Sequence, residues 1–179
     1  MSLYVVMGVS GCGKSSVAKT LAETTGGVFL DADDFHTEEN KQKMNACLHL
    51  NDHDRWNWLK ELNEELQRRQ TDGRPTFLAC SALRAIYRKQ LSEGLARLDF
   101  IYLKGSQDCI RQRMEARKNH FMPSELLASQ FETLEEPLPG EALVVSVEKS
   151  LPDIISTVLC DIHSREKTNP QIKSTATSS

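Results

Sequence analysis

Residues Gly8-Val9-Ser10-Gly11-Cys12-Gly13-Lys14-Ser15 spell GxxxxGK[ST] in full. The apolar run Leu3–Met7 leads into them, and Val17, Ala18, Leu21 and Ala22 follow at helical spacing. A buried strand, a glycine-rich turn and an amphipathic helix are thus expected in that order, which is the context this motif needs to work as a phosphate cradle. Glycines let the backbone curl until several N–H groups converge on phosphate oxygens. The helix that starts near Lys14 adds the positive end of its dipole. Lys14 is placed to bridge the outer phosphates, and Ser15 to ligate Mg²⁺. The nucleotide-binding set read from the motif is Gly8, Ser10, Gly11, Cys12, Gly13, Lys14, Ser15 and Ser16. Cys12 is read as a small residue whose backbone alone matters rather than as a reactive thiolate.

The rest of the chain agrees with such a turn being part of an α/β domain. Further short apolar runs occur at Val28–Leu30, Thr76–Ala79, Phe100–Leu103 and Leu143–Val147, mostly continuous rather than alternating, as in strands buried on both faces of a parallel sheet. Helical stripes lie between them: Leu59, Leu62 and Leu66 within 54–69, a segment from Leu83 through Leu91 and Leu95, Ile110 with Met114, and the regular series Leu151, Ile154, Ile155, Val158, Leu159, Ile162. Strand–helix alternation predicts a doubly wound sheet. Residues 1–163 are read as one domain. Residues 164–179, rich in Ser, Thr and Lys, are read as a disordered polar tail.

Composition narrows the function class. The chain has 179 residues, 39% hydrophobic and 26% charged, with a formal net charge of −3. That is ordinary globular composition, and it offers no basic field for a nucleic-acid backbone. Five scattered cysteines without a CxxC pair argue against a disulfide framework or a zinc site, and for a reducing compartment. The N-terminal apolar run is too short for a signal peptide or a membrane span, so a cytoplasmic protein without a membrane partner is expected.

After the second strand comes Leu30-Asp31-Ala32-Asp33-Asp34-Phe35-His36. Ligands of open α/β sheets gather at the carboxyl ends of strands. Strand alternation predicts that Asp31 and Asp33 point the same way. Asp33 is assigned to an acceptor hydroxyl, as base or orienter, and Asp31 to the metal, with His36 as a hydroxyl partner. Asp34, Glu38 and Glu39 are read as a solvated acidic helix start. No run ends in the usual metal-binding aspartate; Phe77–Leu83 closes on small residues, which allow close approach of a ligand.

Basic groups that could hold phosphate or a carboxylate include Arg55, Arg84 and Arg88, with Ser81 beside the latter two. Asp52 is expected to cap the helix that carries Arg55. Trp56 and Trp58 are read as packing residues. Arg113 and Arg117 are four apart on one helix face, followed by Lys118, His120 and Phe121, a cluster suited to a lid over the nucleotide.

Taken together, the residues resemble one family. The ordered series is Met7 to Ser15; Asp31-Ala32-Asp33-Asp34-Phe35-His36 with Asn40 and Lys43-Met44; Leu50-Asn51-Asp52-His53-Asp54-Arg55 with Trp58-Leu59; Cys80-Ser81-Ala82-Leu83-Arg84 with Tyr87-Arg88; Phe100 to Gly105; and His120-Phe121-Met122-Pro123 running into Ser129-Gln130-Phe131-Glu132-Thr133-Leu134-Glu135. It spans roughly residues 3 to 160 and resembles the short P-loop gluconokinases, relatives of shikimate kinase and the nucleotide monophosphate kinases. The resemblance implies a nucleotide-kinase-like fold, a five-stranded parallel sheet flanked by helices with a helical lid. It implies ATP and Mg²⁺ as cofactors, phosphorylation of D-gluconate at its 6-hydroxyl to 6-phosphogluconate, and a homodimer. It also implies catalytic roles for Lys14, Asp33 and Arg117. Substrate contacts would come from Asp33, His36, Arg55, Ser81, Arg84, Arg88 and His120, with Arg113 and Arg117 on ATP and Ser15 and Asp31 on the metal. Asn57 stands where the family often has proline, Cys12 where it has serine or threonine, and the tail is unlike the family. Two other readings stay open at this point: a kinase for another small acceptor, and a nucleotide-dependent switch.

Overall fold

A computed structural model describes residues 2–46, 48, 50–116 and 124–168. Five strands, β1 (Leu3–Met7), β2 (Val28–Asp31), β3 (Thr76–Ala79), β4 (Asp99–Lys104) and β5 (Ala142–Ser146), form one parallel sheet in the order β2-β3-β1-β4-β5. Among the described residues seven α-helices connect them: α1 (Lys14–Thr25), α2 (Glu38–Asn45), α3 (Asp52–Arg69), α4 (Ala85–Ser92), α5 (Gln107–Glu115), α6 (Ser124–Thr133) and α7 (Leu151–Thr168), with a 3₁₀ turn at Ala32–Phe35. None of the helices among the described residues is long and apolar enough to cross a membrane.

Strand alternation sorts the core into two layers. Tyr4 and Val6 of β1, Phe77 and Ala79 of β3, and Ile101 and Leu103 of β4 pack with α1, α5 and α7 on one side. Leu3, Val5 and Met7, Leu78, and Phe100 with Tyr102 pack with α3 and α4 on the other. β1 is buried along its whole length between β3 and β4. The connection after β1 runs to one side, to β2, and the connection after β3 crosses to the other, to β4, so the turn after β1 hangs at the crevice where open α/β sheets bind ligands.

Helix boundaries follow local chemistry. Gly26, in the left-handed conformation, stops α1. The cap of α3 is Asn51, not Asp52: Asn51 accepts from the Asp54 N–H while Asp54 accepts from the Asn51 N–H, a reciprocal capping box that leaves Asp52 in the first turn. α4 ends at Ser92, short of Leu95, because Gly94 takes a positive φ there. α7 continues past the boundary expected at residue 163, to Thr168. Arg165 is paired with both Asp161 and Asp99, which gives that polar stretch a reason to stay helical. Residues 169–179 lie outside the described residues.

Candidate active site

The turn after β1 has the shape its glycines promise. Gly8 adopts φ +145°, and a Cβ there would lie 2.9 Å from the Leu103 carbonyl oxygen and 2.8 Å from Cys12 Sγ. At Gly11 a Cβ would meet Met114 at 2.6 Å. A larger residue at Gly8 would press the loop against the β4 backbone, and one at Gly11, where φ is +80°, would have to displace the Met114 side chain. Cys12 points into the core, and burial pushes its thiol pKa up, in keeping with a structural rather than reactive residue. Lys14 Nζ donates to the Val9 carbonyl at 3.0 Å, lying across the loop. The Ser10 N–H donates to Oε1 of Gln130, on α6, at 2.6 Å.

The loop is one wall of a cavity of about 770 Å³. Ser10, Gly11, Gly13, Lys14, Ser15 and Ser16 face it from the β1 side. Asp31, Asp33, His36, Arg55 and Ser81 line it as well. Ser15 Oγ donates to Asp31 Oδ2 at 2.8 Å, so two hard oxygen donors already meet at the mouth of the loop. That pair suits Mg²⁺, which takes few protein oxygens and fills its sphere with water and phosphate. Among the described residues there is no cluster of three or more His, Cys, Asp or Glu that would suggest a protein-caged metal instead.

The acidic segment is built differently from the strand expected. β2 ends at Asp31, and the chain turns into the 3₁₀ segment, so alternation does not orient Asp33. Instead Asp31 Oδ1 accepts from the Asp33 N–H at 3.1 Å and caps the turn. Both carboxylates still reach the cavity. The Asp33 side chain keeps most of its surface open to solvent, yet it sits in a concave wall of protein. That partial desolvation, with the Asp31 charge beside it, raises its pKa above the ordinary value, against a smaller lowering by Lys14.

His36 is buried and stacked on Trp58, with ring centroids 4.3 Å apart. Burial, helped by the Arg55 charge, lowers its pKa to about 4, so it is neutral near pH 7. Its Nδ1 has no hydrogen-bond partner among the described residues. Trp58 donates Nε1 to the Ala32 carbonyl at 2.7 Å and fixes the 3₁₀ turn. Trp56 is 43% exposed and does not pack in the core as expected. Arg55 donates Nη1 to the Tyr87 hydroxyl at 3.1 Å.

Three arginines stand away from the cavity wall. Arg88 is buried, and its Nη1 donates to the carbonyls of Ala82 and Leu83 at 3.1 and 3.4 Å. It is thus turned toward the backbone of the turn it follows, where Ala82 holds φ 44°, and does not line the cavity. Arg84 is engaged with Asp52 and Glu135. Arg113 lies at the end of α5 with Nη2 at 3.5 Å from the Lys149 carbonyl. Arg117, Lys118, His120 and Phe121 lie outside the described residues. Gln130, Thr133, Tyr87 and Met114 line the cavity although their sequence context gives them no role there. A neutral amide on a short helix carries no chemical signature of its own, and Tyr87 is told apart from a core tyrosine only by its neighbours.

Residues 3–138 match the family model described as AAA domain. The chain is 43% identical over 159 residues to the thermoresistant gluconokinase of Escherichia coli, covering 88% of this chain and 91% of that one. It is 46% identical over 175 residues to a probable gluconokinase of Mus musculus, covering 88% and 95%. The chain belongs to the gluconokinase family. The fold agrees: the crystal structure of a gluconokinase from Sinorhizobium meliloti superposes with a TM-score of 0.85 at 39% identity, covering 93% of this chain and 94% of that one. As a gluconokinase-family enzyme, the chain has a phosphotransferase site that divides cleanly. One part of the cavity is built on β1 and α1, and the part that carries Asp31, Asp33, His36 and Arg55 runs from the end of β2 into α3.

Proposed function

We propose that this chain transfers the γ-phosphoryl group of ATP to the 6-hydroxyl of D-gluconate. The observation that carries the proposal is that one cavity joins the phosphate loop to Asp33, His36 and Arg55. In this reading the loop N–H groups and Lys14 hold the outer phosphates and balance the charge that develops on the transferring group. Ser15 and Asp31 would hold Mg²⁺, which would neutralise phosphate charge and orient the γ-phosphoryl group. Asp33 orients or deprotonates the attacking hydroxyl, and its raised pKa favours that work. Arg55 takes the substrate carboxylate, and neutral His36, whose Nε2 lies 3.9 Å from Asp33 Oδ1, partners a substrate hydroxyl. ATP contacts from Arg113 and Arg117 and a substrate contact from His120 belong to the same reading. A homodimer in the cytoplasm, with residues beyond Thr168 as a tail outside the catalytic unit, completes the proposal.

A coupled ADP-release assay with D-gluconate, its epimers, shikimate and nucleoside monophosphates tests it. D-gluconate should accelerate ATP consumption by orders of magnitude over water. Equal rates with and without every acid would leave only a nucleotide switch. Light scattering on the eluting protein checks the dimer.

A further inference from the structure

The acceptor end contains a bracket of groups that phosphoryl transfer itself does not use. Tyr87, on α4, is buried among core residues, yet its hydroxyl reaches the cavity side. That hydroxyl accepts from Arg55 Nη1 at 3.1 Å and donates to Asp52 Oδ1 at 2.8 Å. The Tyr87 ring has the Arg55 guanidinium 5.7 Å and the Arg84 guanidinium 5.5 Å from its centroid. Arg84 in turn reaches Asp52 at 3.3 Å and Glu135 at 3.6 Å. Arg55 and Asp52 lie in the first turn of α3, so both ends of the hydrogen-bond chain start from one rigid helix.

An arginine side chain has many rotamers, and grip on a carboxylate depends on its planar fork being held at one angle. Among the described residues the side chain of Arg55 hydrogen-bonds to the phenol and to no carboxylate, while Asp52 feels its charge without bonding it, so the guanidinium fork stays open for a substrate. We infer that Tyr87 is a positioning residue for acid recognition: its hydroxyl and ring, oriented by Asp52, hold the Arg55 fork toward the cavity. Arg84 then completes the bracket from outside and need not touch the acid. The inference rests on the proposed role of Arg55 toward the substrate carboxylate.

Tyr87→Phe keeps the ring and deletes the hydroxyl. The expected result is a KM for D-gluconate about tenfold higher, with kcat and the KM for ATP within about twofold and an unchanged melting temperature. In an Arg55→Lys background the same change should add little, because the two act as one unit. The Arg55 Nε–H signal in ¹⁵N NMR, sharp in the wild type, should broaden or shift in Tyr87→Phe. Asp52, whose side chain is 71% exposed, allows a second variant that keeps the core intact: Asp52→Asn should raise the KM for gluconate about threefold in the same selective way. An unchanged gluconate KM with an unchanged Arg55 signal in Tyr87→Phe overturns the inference. If the wild type does not phosphorylate gluconate at all, the proposed function falls. The Arg55 signal then decides the bracket by itself.

Discussion

A carboxylate that must take or orient the proton of an alcohol works better when its charged form is somewhat disfavoured, and the same disfavour is a cost to folding. Asp33 carries both effects. Its pKa is raised in the folded state, so the unfolded chain releases this proton more readily, and Asp33 opposes folding above its ordinary value of 3.8. Asp33→Asn should therefore lower kcat by a factor of about 10² or more in the coupled assay. It should also raise the melting temperature at pH 7, with the gain shrinking as the pH falls toward 3.8. A second residue separates structure from recognition. Arg88 satisfies the carbonyls around Ala82 from a buried position. Arg88→Met should cost about 2–3 kcal/mol in chemical denaturation while leaving the gluconate KM of the folded fraction unchanged.

At the scale of elements, the hydrogen bond between α6 and the phosphate loop among the described residues comes from one amide. The Gln130 side chain occupies the Ser10 N–H, a donor on the face that would meet the triphosphate. Gln130→Ala removes that competitor, and ATP should bind about two- to tenfold more tightly by titration calorimetry, the range expected for one net hydrogen bond. The root of the same helix is held firmly: the Glu135 carboxylate accepts from the Ala85 N–H, and Glu136 pairs with Lys104 and Tyr102. These contacts mark the limit of what the sequence made legible. The five strands stand out because a short, continuously apolar run between turn residues suits a strand covered on both faces and little else. The cradle stands out because its glycines and lysine are spaced for one task. Asn51 and Asp52 both have capping side chains, and only the reciprocal bond with Asp54 selects the first. Arg84 and Arg88 look alike beside Ser81, and only folding shows one paired with acidic side chains and the other with carbonyls. α2 has no apolar stripe to announce it; Thr37 caps it, and Asn40 and Lys43 tie it to Asp54.

For the molecule as a whole, His36 is an acid-sensitive point in the packing. Its folded pKa is depressed from 6.5 to about 4, so the unfolded state binds a proton first as the pH falls. Stability from this site is complete above pH 6.5 and drains away between there and pH 4. The loss is on the order of 3 kcal/mol by the lower limit. Urea denaturation across that window should show the decline, and His36→Phe should flatten it. The placement of the two ends of the site has a wider consequence. The phosphate loop hangs from the central strand β1, buried along its whole length, whereas Asp33, His36 and Arg55 belong to one stretch of sequence at the sheet margin beside β2. A fold arranged this way can exchange its choice of alcohol largely by rewriting residues 31–58 and the Tyr87 brace behind Arg55, while the energy-supplying half stays as it is.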